Sequence, residues 1–552
     1  MHVSKGVVDM NQETLLQSRR AFIKTAGAAV VAGAACALAP ARAKANDAAT
    51  SVDEIQWDEE AELIVAGGGL AGFVSAVAAV ADCGATKVIL FEKGETPGGC
   101  SPFSVCRFTY TTEEHREDFL TYMKGLEQGR TTVSDDVYEA YAQGSIEAID
   151  WVKSLGANPD EMVIEEPGQQ SPTQPSIYPE YPELPGSDSI GNFQVGQAEG
   201  ATGPTSLYLF MQQWADEHAD AIDVRYSSPV TALVQDPTTR RVIGVVVEIE
   251  GQSVYVRADK GVVMCTGGFE NDQEMIQNYL GYQELISIGA RLNTGDGFKM
   301  CSRAGAAMWH LRGISGPMLT YKRESDGARF SVKGGLGIKV GANGRRYMRD
   351  GSGKPAPKEL MAGPVTAGEN DRHGLMNIGG EFITPMIPPT WLIVDATGYS
   401  DEKFVSKGMF SAIEYEGDMV ENGDATMGQT LTELAEAIGF PEGALEQTVE
   451  EWNTMVDAGV DYAFHRNPDT FVKIETAPFY AVRLKPGFLN TDGGPKRSAK
   501  AEVIDVDGEP IPGLYAAGEL GSVTGACYQG GQNISESGVF GRIAAHSAFG
   551  IE

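Results

Sequence analysis

The sequence predicts an α/β fold: a parallel sheet whose strands run into glycine turns along one edge. Three observations predict it. The apolar run Glu62-Leu63-Ile64-Val65-Ala66 leads straight into Gly67-Gly68-Gly69-Leu70-Ala71-Gly72 and then an Ala/Val-rich helix to about Gly84. A second apolar run, Val88-Ile89-Leu90-Phe91, ends in the acid Glu92. The strand-to-glycine unit then recurs as Gly261–Gly268 and, far down the chain, as Gly513–Glu519.

Each piece of the first unit has a physical reason. Gly67 allows the tight turn, Gly69 lets backbone approach a pyrophosphate, and Gly72 lets helix and strand pack closely. Free N–H groups at the helix start favour an anion there. Glu92, at the end of the second strand, is placed to accept from a ribose hydroxyl. Strand, turn, helix, strand and acid in that order define a Rossmann-like dinucleotide site. Farther on, Val224–Tyr226, Val230–Val234 and Val242–Ile249 read as strands, with Asp236-Pro237 starting a turn. Several strand-to-glycine turns converging on one ligand suit an extended cofactor lying across a sheet edge. In Asn158–Gly186, the six prolines from Pro167 to Pro185 exclude helix or central strand across the second part. Tyr178 and Tyr181 there belong either to a roomy aromatic pocket or to the surface of a lid.

Composition bounds the function. Forty-three Lys and Arg against 76 Asp and Glu leave a formal charge of −33, which excludes nucleic acid as a partner and disfavours anionic membranes. The acidic coat keeps the chain soluble and suits a basic redox partner. Seven cysteines without a Cys-x-x-Cys pair make neither a disulfide scaffold nor a Cys-rich zinc or haem-attachment site, and no metal site is expected. No spanning helix is expected in the mature chain. Residues 1–45 read as an address: Ser18-Arg19-Arg20-Ala21-Phe22-Ile23-Lys24, a weakly apolar run from Thr25 to Leu38, and small residues at Ala41, Ala43 and Ala45. That is the pattern of a twin-arginine (Tat) export signal, which carries folded, cofactor-loaded proteins to the cell envelope.

The order of the glycine blocks, with Glu92-Lys93, Thr266-Gly267-Gly268-Phe269, Asn293-Thr294-Gly295-Asp296-Gly297, Gly344-Arg345-Arg346-Tyr347 and the stretch Ala444–Asn453, resembles the fumarate reductase/succinate dehydrogenase flavoprotein family in its soluble branch. The stretch Ala444–Asn453 also makes sense alone, because Leu445, Val449, Trp452 and Met455 repeat at helical spacing as a packing face. The resemblance implies a split Rossmann-like FAD-binding domain with an inserted α+β capping domain. The expected boundaries are a signal at 1–45, a linker at 46–59, FAD-binding segments at 60–312 and 488–552, and the cap at 313–487.

By the same resemblance, Gly67, Gly69, Leu70, Ala71, Gly72, Glu92, Lys93, Gly98, Gly99, Cys100 and Ser101 surround the phosphates, ribose and flavin edge. Val230, Thr266, Gly267, Gly268, Asn293, Thr294, Asp296, Glu519, Gln532, Asn533 and Ile534 complete the shell. No histidine follows Gly98-Gly99, so FAD is expected without a covalent bond to histidine, and Cys100 reads as a buried structural thiol.

What departs from the family bears on substrate. Where a fumarate reductase delivers its proton from an arginine, ungapped alignment puts Lys354, and its relay pair falls on Phe330 and Lys333. The family histidine becomes Asn490 or its neighbour, and the carboxylate-clamping arginine becomes Tyr528. A dicarboxylate without that arginine forfeits charged hydrogen bonds of about 1.5–3 kcal/mol each. Tyr528 after Val523-Thr524-Gly525-Ala526-Cys527 is similar to the flavin-dependent 3-ketosteroid dehydrogenases, where a tyrosine polarises the substrate carbonyl. Tyr528 and Asn490 are therefore the expected substrate-polarising groups, with Lys354, Arg349 or a tyrosine as proton donor. The expected activity is reduction of a conjugated C=C bond in an enone, enoate or unsaturated lactone. The reverse, ketosteroid-type oxidation and a small-acid reductase are the alternatives. A separate electron donor, such as a membrane-bound cytochrome, is implied because the chain carries no haem or iron–sulfur motif.

Overall fold

The computed structural model describes residues 55–551, apart from 105, 128, 130–131, 170–178, 180, 182–183, 197–205, 283–284, 317, 333, 348–375, 379–381, 385–388, 402–403 and 408–414. The elements that frame the site are β1 (Glu59–Ala66), α1 (Leu70–Ala81), β2 (Val88–Phe91), α2 (Arg116–Glu127), α3 (Asp135–Ser154), α4 (Ser206–Glu217), β3 (Gln252–Met264), β4 (Phe479–Phe488) and α5 (Gln532–Phe549).

One sheet runs in the order Glu502–Ile504, Pro510–Ala516, β3, β1, β2, Ile222–Arg225. Its four central pairings are parallel, and the hairpin Val230–Gln235/Val242–Ile249 adds to β3 antiparallel. Both faces are covered, so the strands are apolar throughout rather than alternating. Leu63, Val65 and Leu90 point into one core, while Ile64, Ala66 and Ile89 point into the other. α1 is made of small residues because it lies against α5: a Cβ on Gly541 would stand 2.9 Å from the Ala71 carbonyl oxygen. The α/β class expected from the sequence is the one observed.

A second sheet has the order Ile338–Val340, Thr390–Asp395, β4, Met318–Lys322, Arg329–Val332, Val405–Lys407. Its pairings along this path are antiparallel. The helix Ala444–Ala458 buries Leu445, Val449, Trp452 and Met455 beneath it, the packing face read from the sequence. At its end β4 also pairs in parallel with Ile286–Ser287, and the chain then pairs Asn490–Thr491 with Ile314–Ser315. The central strand of the second sheet thus delivers Asn490 to the rim of the first. A three-stranded sheet, Phe108–Tyr110, Gly191–Gln194 and Val163–Glu165, sits beside α3 and α5.

One expectation needs correcting. Tyr181 neither lines an open pocket nor covers a lid; it is 7% exposed and belongs to the core around α2 and α3, while Tyr178 lies outside the described residues. Phe330, where the family has a relay residue, is wholly buried with Arg323 over its ring, in keeping with the expected departure from that relay; Lys333, its partner in the alignment, lies outside the described residues. Trp57, in the expected linker, packs on the hairpin at Gly244, and Asp58 bonds the Tyr255 backbone.

Candidate active site

Along the edge where β1, β3 and Pro510–Ala516 end lies one open cleft with a cavity volume of about 260 Å³. Two glycines of its frame, Gly67 and Gly72, admit no side chain. Gly67 has φ +113°, and a Cβ on it would stand 2.3 Å from the Cys265 carbonyl oxygen; a Cβ on Gly72 would stand 1.9 Å from that of Gly67. At Gly69 the nearest atoms are 3.6 Å away, so the start of α1 opens onto the cleft. Glu92, 6% exposed, accepts from the Gly68 and Gly94 N–H groups at 2.7 Å each and thereby holds the glycine turn in shape. Ser101 Oγ accepts from Leu70 N at 2.9 Å, tying the double-glycine segment to the helix start. Lys93 Nζ donates to Asp296 Oδ2 at 2.6 Å and Thr294 Oγ1 at 2.9 Å, and so closes the cleft from the opposite side.

Most residues expected at the cofactor line this cleft: Gly67, Gly69, Leu70, Ala71, Glu92, Lys93, Gly99, Cys100, Ser101, Val230, Thr266, Gly267, Asn293, Asp296, Glu519, Asn533 and Ile534. Others stand behind the wall. Gly72 packs on Gly67, Gly98 packs on the Glu92 carboxylate, and Gly268 packs on Thr491. Thr294 is a partner of Lys93. Gln532, 1% exposed, gives its amide to Thr524 Oγ1 and so braces the loop before α5.

Tyr528, half-buried, and Asn490, 2% exposed, both line the cleft. Asn490 Oδ1 accepts from Asn533 at 3.1 Å, while its amide donates to Asp492 Oδ1 at 3.2 Å. Asn490 is therefore oriented, its carbonyl towards α5. The loop carrying Tyr528 is fixed by helices outside it: Glu127 accepts from Gly525 N at 3.1 Å, Tyr122 donates to Gln529 Oε1 at 2.5 Å, and Glu536 accepts from Val523 N at 2.9 Å. Lys354 and Arg349 lie outside the described residues.

Sequence reading missed two features. Arg107, on the cleft wall, is buried and forks onto Glu165 at 2.7 and 3.3 Å. Its partner lies on another strand of the small sheet, so no local spacing announces the pair. The second is a group of buried acids. Glu270 accepts from Asn293 at 2.6 Å and from Thr491 at 3.3 Å, and ligand atoms of Cys100, Glu270 and Glu519 lie within 4.8 Å of one another. Burial raises Glu270 and Glu519 above the ordinary carboxylate range, with Glu270 and Asp492 adding to the rise at Glu519. Burial pushes Asp492 up to about 8, against the bond from Ser315 and with Glu127 and Glu270 adding. Burial likewise holds the Cys100 thiol well above its usual value, in keeping with a structural thiol. Glu270 directly follows the Thr266–Phe269 block, a position that signals placement near the cleft but not protonation.

A profile described as "FAD binding domain" matches residues 62–534. The chain belongs to the FAD-binding domain family. It is a flavin oxidoreductase, and FAD is its cofactor. A fumarate reductase of Shewanella frigidimarina is 27% identical over 502 residues, covering 89% of this chain and 75% of that protein. Digoxin reductase of Eggerthella lenta is 27% identical over 598 residues, covering 97% of both chains. The structure of 3-ketosteroid delta1-dehydrogenase from Sterolibacterium denitrificans shares the fold, with a TM-score of 0.70 at 20% identity over 89% of this chain and 100% of that one. The cleft fits the cofactor on its own terms: glycines at which a Cβ would clash, a helix start facing open space, and an acid at the end of β2 together suit an extended dinucleotide.

Proposed function

We propose that this flavoprotein reduces the conjugated C=C bond of an uncharged enone or unsaturated lactone. One observation carries the reading. Among the described residues lining the cleft, the cations are Lys93 and Arg107, and each is paired to a carboxylate, Asp296 and Glu165. The buried acids Glu270, Glu519 and Asp492 stand close by. Among the described lining residues a dicarboxylate would meet cations already committed to carboxylates, and burying it unpaired would cost on the order of several kcal/mol per charge. A neutral carbonyl needs only a donor.

Bound FAD would hold two electrons and supply hydride chemistry at its reactive nitrogen. The chain's own groups then have defined tasks. The Tyr528 hydroxyl donates to the substrate oxygen, where negative charge accumulates as the β carbon is reduced. Asn490, oriented by Asn533 and Asp492, keeps that wall polar. A second acid protonates the α carbon, with Lys354, Arg349 and a tyrosine as the nominees. Relatives named for fumarate and digoxin reduction support C=C reduction as the reaction class, acting on a CH–CH bond. The Ser18–Lys24 pattern supports Tat export to the cell envelope, and the lack of a haem or iron–sulfur motif in the sequence supports a separate donor such as a membrane-bound cytochrome. Among the described residues no helix is long and apolar enough to cross a membrane.

The test is anaerobic: reduce the holoprotein with dithionite, then follow flavin reoxidation against enones, unsaturated lactones, enoates and fumarate. Reoxidation by a neutral enone or lactone with fumarate silent is the expected result. Fumarate alone reoxidising the flavin would overturn the substrate reading. Reduction of the oxidised protein by a saturated ketosteroid, with no alkene active, would establish the reverse reaction.

A further inference from the structure

Asn490 and Asp492 stand two apart in extended backbone, so their side chains share one side, while Thr491 between them turns to Glu270 and the Phe269 N–H. On the shared side a ring of four polar groups closes. Asn533 Nδ2 donates to Asn490 Oδ1 and to Ser315 Oγ, each at 3.1 Å. Ser315 Oγ donates to Asp492 Oδ1 at 2.7 Å, and Asn490 Nδ2 donates to the same oxygen at 3.2 Å. Two donor chains therefore start on α5 and end on one carboxyl oxygen. Turning the Asn490 amide over would set its nitrogen against the Asn533 nitrogen, so Asn533 and Asp492 together fix which way Asn490 points. All four side chains are buried.

The surroundings of the Asp492 carboxyl decide its form. The charged groups that act on it are Glu127 at the end of α2 and Glu270 after β3, and Glu519 beyond Pro510–Ala516 feels it in turn; all three are acids. Among the described residues its hydrogen bonds reach Oδ1 from neutral groups, and no cation pairs with it. An ionised Asp492 would be a buried, unpaired charge facing like charges, the setting least favourable to a carboxylate. Burial accordingly pushes it up to about 8. A neutral carboxyl still offers the acceptor oxygen that both donor chains need.

We propose that Asp492 is a positioning residue of this enzyme: a neutral acid that anchors Asn490 and Ser315 through Oδ1, so that the substrate wall is ordered without an added negative charge. Ionised, the same carboxyl would keep its bonds but bring a negative charge towards the oxygen on which charge accumulates during reduction. The rate should therefore fall as Asp492 loses its proton, as pH rises through about 8. The proposal rests on the placement of substrate at Asn490 in the function proposed above.

Two measurements test it, and the first needs no substrate. Infrared difference spectra of the holoprotein between about pH 7 and about pH 9.5 should show a protonated-carboxyl C=O stretch that is lost at the higher pH. That band should be missing in Asp492→Asn and should move to higher frequency in Ser315→Ala, which removes one of the two donors to Oδ1. A band that persists in Asp492→Asn overturns the neutral acid, and one that does not move in Ser315→Ala overturns the network. In the second, stopped-flow reoxidation of dithionite-reduced flavin by the fastest alkene of the panel, fumarate included, should slow at least tenfold over the same pH range in the parent and less than threefold in Asp492→Asn. Asp492→Leu, which has no acceptor, should be at least tenfold slower than Asp492→Asn at either pH. An equal alkaline fall in the parent and Asp492→Asn, or Asp492→Leu as fast as Asp492→Asn, overturns the positioning role. Each variant is first checked for full flavin absorbance; if Asp492→Leu fails that check, the Asp492→Asn comparison and the infrared bands carry the test. Failure of the C=C reading shows differently: no alkene reoxidises the flavin, while the infrared bands still decide whether Asp492 is the neutral anchor.

Discussion

Replacing Gly72 by alanine tests the architecture of the cofactor cleft most directly. Gly72 does not line the cleft, yet a Cβ there would stand 1.9 Å from the Gly67 carbonyl oxygen. Ordinary carbon–oxygen contacts begin near 3.3 Å, so the helix start or the turn must move by roughly 1.4 Å. The neighbouring oxygen is backbone, and the turn that bears it is held by Glu92 through Gly68 N and by the positive φ of Gly67. Neither can yield cheaply, and overpacking of this kind costs about 1–3 kcal/mol. If FAD depends on the α1 N–H groups keeping their aim, that cost appears in its affinity as a loss of about 5- to 150-fold. The assay is titration of apoprotein with FAD by flavin fluorescence, with thermal midpoints measured with and without saturating FAD. Gly84→Ala is the control: Gly84 has φ +72° but open space around it, so alanine should cost about 1–2 kcal/mol of stability and leave FAD affinity unchanged. Gly72→Ala binding FAD within twofold of the parent would refute the close-approach reasoning.

Other outcomes follow from the same geometry. Tyr528→Phe should retain FAD and slow enone-driven flavin reoxidation by about 10²–10³-fold, the usual effect of removing one oxyanion donor; a change below threefold, measured by stopped flow, would remove Tyr528 from the reaction. Asp492, held at about 8 by burial, binds its proton more tightly folded than unfolded, so apoprotein stability should fall as pH rises from about 4 to 8. Asp492→Asn should flatten that slope in urea titrations, and an unchanged slope would show that the carboxyl ionises freely. Asp82 behaves oppositely: burial raises it, but the bonds from His546 and Arg542 win and hold it at about 2. Its contribution is present above pH 4 and lost as pH falls towards 2, and Asp82→Asn should cost on the order of 1–2 kcal/mol at pH 7 and nothing near pH 2.

The parallel core of the fold was legible because its signals are local. A strand, a glycine turn and a helix occupy consecutive residues from Glu59 to Ala81, and the constraint that makes Gly72 glycine acts across five residues. The helical face of Leu445, Val449, Trp452 and Met455 was legible for the same reason, as a periodicity within one element. Tyr181 was misplaced because proline spacing describes the backbone of a loop and not which core its side chain enters.

Sequence alone therefore determined the α/β class and the glycine cradle, since each follows from backbone geometry over a short span, while the family resemblance implied most of the other residues that line the cleft. Tertiary structure decided what those residues meet. It showed that Glu92 shapes the glycine turn, that Gln532 braces a loop, that Arg107 is committed to Glu165, and that Glu270, Glu519 and Asp492 share a low-dielectric wall. Charge pairing and burial are sums over neighbours from distant parts of the chain. Glu165 lies 58 positions from Arg107, and Thr491 lies 221 from Glu270, so only the folded chain sets the potential a substrate would meet.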